Sequence, residues 1–205
     1  QKEDDCSICN ESLPKLSSKL VRMICCGKGT HQKCHDDIYK SSMSDEQKGR
    51  CIMCRTKHAV SGSKEEIEQL QRWVEKGKAW AQFMLGDMYE DGEGVDQSYQ
   101  QARELYELAA RQGDTNAQYN LGLQYRKGQG VAQSYERAAE YFEAAARQGL
   151  SDAQNSLGVL YCNGQGVEQS FETTREWLMK AAEQGHENAI TSLQQLDKHE
   201  GRTTP

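Results

Sequence analysis

Residues 117–149 read AQYNLGLQYRKGQGVAQSYERAAEYFEAAARQG, and the same marks return on either side of this stretch. The pair Ala-Gln recurs every 36 residues, at Ala81, Ala117 and Ala153, and Ala189 opens a fourth, shorter copy. A Leu-Gly pair, a Gly-x-Gly-Val turn and a closing Ala-Ala-x-Gln-Gly keep the same spacing in the three full copies. A fixed period of this length is the signature of a solenoid built from repeated supersecondary units.

The sequence pattern of each repeat unit predicts two antiparallel helices. The first helix runs from about Ala81 to Tyr89 and ends at the Gly-x-Gly turn, whose glycines supply positive φ. A serine stands at the N-cap position before every second helix, at Ser98, Ser134 and Ser170. The second helix of the first unit carries an inward-facing stripe of Ala102, Leu105, Tyr106 and Ala109. We interpret the recurring small and aromatic residues as helix packing rather than ligand binding.

This 36-residue pattern resembles the Sel-like repeat family, whose members are relatives of the tetratricopeptide repeats. The resemblance covers residues 63–196, because residues 63–76 supply one further helix and Gly77 lies 36 residues before Gly113. It implies an all-α solenoid of three full units with a helix added at each end, whose surface binds protein partners. The third unit departs from the pattern at Thr173 and Thr174, so we expect its second helix to pack less tightly.

The first quarter of the chain contains seven of its eight cysteines. Two outer Cys-x-x-Cys pairs flank an inner cluster, and with one histidine they offer eight ligands, which two tetrahedral zinc ions require: Cys6, Cys9, Cys25, Cys26, His31, Cys34, Cys51 and Cys54. A segment this short buries too little apolar surface to fold alone, so zinc binding would supply its folding energy. Disulfide bonds are disfavoured because the remainder is a cysteine-poor helical array and no apolar leader precedes Cys6.

The order of these pairs resembles a RING finger over residues 6–55. The resemblance implies a cross-braced module in which one zinc is held by Cys6, Cys9, His31 and Cys34. The other zinc would be held by Cys25, Cys26, Cys51 and Cys54. The adjacent Cys25 and Cys26 depart from the family, and a rival assignment pairs Cys26 with His31 and Cys34 with Asp37. His35 is a third option for a ligand position.

RING fingers most often act as ubiquitin ligases, so the resemblance implies a ubiquitin-conjugating enzyme as a partner. Three residues match the family's docking positions: Ile8, Ile52 and Arg55. Ile52 stands where a proline is common, and Arg55 stands where active ligases carry a linchpin that bridges enzyme and ubiquitin. Both zinc ions would be structural, and no catalytic side chain is predicted, because such ligases act by orientation without a covalent intermediate.

The predicted function is therefore a zinc-binding RING-type ubiquitin ligase whose helical repeats recruit a protein substrate. The alternative is a non-catalytic adaptor in which the finger and the repeats only bind partners. The predicted boundaries are a RING-type zinc finger at 1–56, a linker at 57–62, the repeat solenoid at 63–196 and a disordered tail at 197–205.

Composition bounds the remaining classes of function. The net charge is −6, with 11 Lys/Arg against 8 Asp/Glu in residues 1–60 and 14 against 23 in residues 61–205. This acidic balance disfavours nucleic acid as a partner. No run of about 18 apolar residues predicts a membrane span in this segment. Free thiols indicate a reducing compartment, the cytoplasm or the nucleus, and an upstream targeting sequence is left open.

Two smaller sets of residues complete the expectations. Cys162 is a lone thiol in the third repeat, which we expect to be partly exposed and without a catalytic role. The three tryptophans are expected to be buried between layers rather than to form an exposed patch: Trp73, Trp80 and Trp177.

Overall fold

The computed structural model describes residues 62–201 with their side chains, together with the backbone of two short upstream segments, Leu20–Arg22 and Gly29–His31. The chain divides into two compact halves, an N-terminal half, Gln1–Gln97, and a C-terminal half, Ser98–Pro205. The linker predicted at 57–62 falls almost wholly outside the described residues, so the predicted domain boundaries remain predictions.

Two short strands pair in the N-terminal half. β1 (Leu20–Arg22) and β2 (Gly29–His31) run antiparallel, and the first residue of β1 lies opposite His31 at the end of β2. In the sequence, the segment that joins the strands contains Cys25 and Cys26. The cross-braced RING module itself involves residues outside the described ranges and remains a prediction.

Two helices of the N-terminal half are predicted by the repeat pattern. One is the helix added before the first repeat unit, and the other is the first helix of that unit. α1 (Lys64–Glu75) begins after Ser63, whose hydroxyl accepts a hydrogen bond from the Glu66 amide at 3.2 Å. α2 (Ala79–Asp91) ends at Gly92, which has a left-handed φ of 73°. The helices pack on each other, and their buried apolar side chains are Ile67, Leu70, Ala81, Leu85 and Met88.

Six helices follow in the C-terminal half, each 13 residues long and each packed on the next along the chain. They are α3 (Tyr99–Arg111), α4 (Thr115–Lys127), α5 (Tyr135–Arg147), α6 (Ser151–Asn163), α7 (Phe171–Glu183) and α8 (Glu187–His199). This arrangement confirms the all-α solenoid of helical repeats. No helix in the described part of the chain is both long and apolar enough to span a membrane.

The turn between the paired helices of each unit is closed by side chains. In the middle unit, the Ser134 hydroxyl accepts a hydrogen bond from the Arg137 amide at 3.1 Å, which confirms the predicted N-cap. The Gln133 side chain donates to the Arg126 carbonyl at 2.8 Å and satisfies one of the last carbonyls of α4. The same two interactions recur in the third unit, through Ser170 and Gln169.

The two glycines of the Gly-x-Gly turn serve different purposes. Gly128 ends α4 in the left-handed region at φ 70°, as predicted. Gly130 also has positive φ, but in addition a Cβ there would lie 2.8 Å from the backbone of Tyr99. The second glycine is therefore needed because the turn of one unit packs against the first residue of the second helix of the preceding unit.

Small residues likewise set the distance between helices in the core. A Cβ on Gly122 of α4 would lie 2.6 Å from the ring of Phe142 on α5, so a side chain does not fit there. The expected looser packing of α7 is wrong at Thr174, which is 1% exposed. Its hydroxyl donates to the Ser170 carbonyl at 2.7 Å, so the polar group is satisfied within its own helix.

The two helices of a repeat unit are also joined by paired glutamine side chains. The Gln148 amide donates to the Gln118 side chain at 2.7 Å, and Gln184 donates to Gln154 at 2.8 Å. Gln154 in turn donates to the Ala146 carbonyl at 3.1 Å. Because these residues belong to the Ala-Gln and Ala-Ala-x-Gln-Gly marks, the repeated glutamines hold the two helices of a unit together, and Gln154 also holds its unit against the preceding one.

Candidate protein-interaction groove

The residues predicted to bind zinc or a conjugating enzyme lie outside the described residues, with one exception. They are Cys6, Ile8, Cys9, Cys25, Cys26, Cys34, Cys51, Ile52, Cys54 and Arg55, and so are the alternative ligands His35 and Asp37. The exception is His31, which is described by its backbone alone. Among residues 62–201, no group of three or more His, Cys, Asp or Glu side chains could hold a metal ion. The zinc sites and the docking contacts remain predictions.

An open groove of about 460 Å³ lies on the C-terminal half, where α4 packs against both α3 and α5. Its polar and aromatic lining comes from three helices: Arg111 of α3, Gln118 and Tyr125 of α4, and Arg137 and Tyr141 of α5. Two small residues, Ala110 of α3 and Ala144 of α5, leave the space between the outer helices open. The volume is within the range of about 300–1,000 Å³ that is typical of ligand-binding clefts.

Stacked tyrosines form the aromatic part of the groove. The ring centroids of Tyr125 and Tyr141 are 5.6 Å apart and the planes differ by 14°. The guanidinium of Arg137 lies over Tyr125, 6.0 Å from the ring centroid, at the outer limit of a cation–π contact. Both rings are half-buried and line the groove, and Tyr125 also packs against the buried core of α5 and α6.

The charges around the groove are unequally matched. The Glu107 carboxylate is 2.9 Å from the Arg103 guanidinium and 3.9 Å from that of Arg111. Arg137 makes no ion pair with a carboxylate among residues 62–201, and its side chain is exposed. Burial raises the pKa of Tyr141, and the neighbouring Tyr125 and Glu107 raise it further, so its hydroxyl stays protonated at neutral pH.

The groove is not simply repeated in the next unit. The residues 36 positions later than Tyr125 and Tyr141 are Tyr161 and Trp177, which are half-buried against the core of α5 and α6. At the position of Ala144 stands Lys180, whose ammonium lies 4.1 Å from the centroid of the Trp177 ring. Thr173 replaces Arg137. The third unit therefore lacks the small residue and the guanidinium that the middle unit carries at these two positions.

The other aromatic and thiol predictions have mixed outcomes. Trp177 is half-buried rather than fully buried between layers. Trp73 and Trp80 are also half-buried, with ring centroids 5.9 Å apart, and the Lys76 ammonium lies 4.2 Å from the Trp73 ring centroid. Cys162 is a free, half-buried thiol, as predicted.

The model of the Sel1 repeat matches residues 81–114, 115–150 and 151–186, three repeats in succession. The chain belongs to the Sel1 repeat family. No RING zinc-finger family model matches the chain, and no curated protein matches it.

Two solved structures are similar to this one. The chain is 40% identical, with a TM-score of 0.60, to c5321, a protective antigen of uropathogenic Escherichia coli strains that displays an SLR fold. That match covers 62% of this chain and 27% of the antigen. A Sel1 repeat protein from Oxalobacter formigenes is 33% identical with a TM-score of 0.60, and the match covers 63% of this chain and 53% of that protein. This Sel1 repeat chain therefore corresponds to part of each relative's length.

Sequence reasoning assigned the aromatic residues of the groove to packing and did not select Arg137. The available signal was a difference between repeats: an arginine and an alanine of the middle unit are a threonine and a lysine in the third. That difference gains meaning only when the folded chain places Arg137 and Ala144 at the same groove.

Proposed function

We propose that this Sel1 repeat protein is an adaptor that holds a protein partner in the groove between α3 and α5. The observation that carries the proposal is the open groove that the half-buried Tyr125 and Tyr141 line together with the exposed, unpaired Arg137. Aromatic residues and arginine are the side chains that contribute most to protein–protein binding energy. Membership of the Sel1 repeat family supports a protein partner on the repeat surface.

A rigid scaffold favours such binding because little conformational entropy is lost on association. The groove is lined by helices rather than loops, and the helices are held by paired glutamines and capped turns. The Gln118 side chain of α4 illustrates this, because it lines the groove and accepts the hydrogen bond from Gln148 at the end of α5. The partner would therefore meet a preformed site.

The adaptor proposal is tested by recovering bound proteins on the native chain and on two variants. Ala144→Lys should fill the groove, and Arg147→Gln is the matched control because this exposed arginine lies outside the groove lining. We expect a set of proteins that is retained by Arg147→Gln and lost with Ala144→Lys, quantified by mass spectrometry. Identical recovery on all three forms, or none above background, would contradict the proposal.

For the N-terminal part we propose two structural zinc ions bound by the seven clustered cysteines and His31. The donor set supports the proposal, because thiolates and imidazole are the ligands that structural zinc prefers. Purified protein should contain about two zinc ions per chain, measured by plasma mass spectrometry. Cys51→Ser should lower the zinc content, whereas Cys162→Ser, which alters the lone thiol of the repeats, should not. Native protein without zinc would contradict the proposal.

Ubiquitin ligase activity is the finer prediction, and it depends on Ile8, Ile52 and Arg55. The adaptor is the better supported of the two functions, because its evidence lies in the repeats. The ligase prediction is tested by single-turnover discharge of a panel of ubiquitin-charged conjugating enzymes, with native protein and Arg55→Ala compared at equal zinc content. Faster discharge that is lost in Arg55→Ala would establish the ligase, and no acceleration with any enzyme would leave the adaptor.

A further inference from the structure

We propose that the occupant of the groove is an acidic peptide segment that carries an apolar side chain next to its carboxylates. In this arrangement the apolar side chain lies against Ala110 and Ala144, and a peptide carboxylate pairs with Arg137. The inference rests on the proposed adaptor function and adds the chemistry of the partner.

The space in the groove suits an apolar side chain of a peptide rather than a folded domain. Ala110 and Ala144 contribute only methyl groups, and the stacked rings of Tyr125 and Tyr141 form the third apolar surface. Burying an apolar side chain against such surfaces is favourable because it removes apolar area from water. The cleft of about 460 Å³ accommodates a few side chains of an extended segment.

Arg137 carries a positive charge in the groove that pairs with no carboxylate of residues 62–201. Glu107, the carboxylate next to the tyrosine stack, is already matched by Arg103 at 2.9 Å and shares Arg111 at 3.9 Å. Arg137 has no carboxylate partner in residues 62–201, and the protonated Tyr141 hydroxyl is a hydrogen-bond donor beside it. A guanidinium binds carboxylates in a fixed, bidentate geometry, so an acidic side chain is the ligand that these donors recognise.

Two carboxylates line the groove, and the one without an ion pair among residues 62–201, Glu140, makes the sign of the partner's charge testable. Glu140 lies one turn after Arg137 on α5 and is exposed at the groove. An acidic peptide should be repelled by Glu140 and attracted by Arg137, whereas a basic peptide should show the reverse. The two neutralising substitutions, Arg137→Gln and Glu140→Gln, therefore have opposite effects for the two kinds of ligand.

The third unit shows that its helix accepts a lysine at the position of Ala144. Lys180 occupies the position of Ala144 and lies over the Trp177 ring at 4.1 Å. Ala144→Lys transfers this feature to the middle unit, and lysine is a good helix former. The variant should fold like the native chain, which its circular dichroism spectrum and thermal transition would verify.

The probe is a phage-displayed library of random linear peptides, selected on the native chain and counter-selected on Ala144→Lys. We expect enriched peptides to combine Asp or Glu with a neighbouring aliphatic or aromatic residue. A peptide from this pool should bind at least about tenfold more weakly to Arg137→Gln, because a charge-assisted hydrogen bond is lost. It should bind Glu140→Gln as well or better, and Arg147→Gln unchanged, as measured by calorimetry.

The outcomes separate this inference from the adaptor function. Enrichment of basic or uncharged peptides, or of none that depend on the open groove, overturns the acidic-peptide proposal, and so does equal binding to Arg137→Gln and native protein. The adaptor function stands or falls separately, on the proteins recovered with native chain and lost with Ala144→Lys. Loss of that recovery together with basic peptide enrichment would keep the groove and reverse the partner's charge.

Discussion

Replacing Gln124 with methionine should stabilise the protein. Gln124 lies on α4 and is 0% exposed, and in the described part of the chain neither its side-chain nitrogen nor its oxygen has a hydrogen-bond partner. The same position is Met88 in the first unit and Leu160 in the third, both buried. The middle unit therefore carries a polar side chain at a position where the other units place an apolar one.

The expected size of the effect follows from the two unsatisfied atoms. Each buried donor or acceptor without a partner costs about 1–3 kcal/mol, because its hydrogen bonds to water are not replaced. Methionine has the same unbranched length and a similar helix propensity, so Gln124→Met removes the cost with little change of shape. We expect a gain of about 2 kcal/mol or more, which corresponds to about 4–8 °C in melting temperature for a chain of this length.

The assay is urea and thermal unfolding followed by helical circular dichroism, with hydrogen exchange of the α4 amides as a local measure, because repeat arrays need not unfold in one step. The matched control is Leu160→Gln, which introduces the same defect in the third unit. It should destabilise the protein by about 3 kcal/mol, the sum of lost apolar burial and an unsatisfied amide. A Gln124→Met variant that is no more stable than native protein would refute the reasoning.

Three further outcomes are expected. Gly122→Ala should destabilise by about 1–3 kcal/mol in urea unfolding because the new methyl group would overlap the Phe142 ring, whereas Gly158→Ala, which meets a flexible leucine at 3.0 Å, should cost less. Burial raises the pKa of Asp114 despite the hydrogen bond from the Ala117 amide, so the folded state holds the proton more tightly than the unfolded state. The contribution of Asp114 to stability is therefore largest below about pH 4 and is lost as the pH rises through its pKa in the folded state. Asp114→Asn keeps the N-cap but does not titrate. The urea midpoint of this variant should therefore rise relative to that of native protein as the pH is raised from about 3 to about 7. Arg175→Met should loosen α8 by about 1–3 kcal/mol, seen as faster amide exchange there, because its guanidinium bridges two carboxylates at the end of α8 at 2.6 Å each.

The helices and turns of the repeat could be predicted because their signals are local. Ser134 caps its helix through its own side chain, and Gly128 adopts the φ that only glycine adopts easily. The third unit was harder to predict, because its Thr174 breaks the alanine pattern. Its hydroxyl is satisfied one turn earlier in the same helix, and the helix accepts it without looser packing.

The groove could not be predicted from the sequence because it depends on side chains from three helices. Tyr125 and Tyr141 recur as aromatic positions, and periodicity alone favours packing for both. Their stacking, and the place of Arg137 over one ring, follow from the distance between α4 and α5, which Gly122 and Phe142 set. The zinc ligands are the opposite case, since their evidence is the sequence spacing and nothing in the described residues tests it.

By itself, the sequence determined the repeat period, the helix caps and the family, because each depends on residues that are neighbours along the chain or separated by one fixed interval. Only the tertiary structure decided which of the repeated positions are exposed together. Ala144 and Lys180 occupy the same place in the repeat, yet one leaves a groove open and the other lies over an aromatic ring. The physical reason is that a binding surface is a sum of contacts between helices, and a single substitution in one unit changes that surface without changing the helix that carries it.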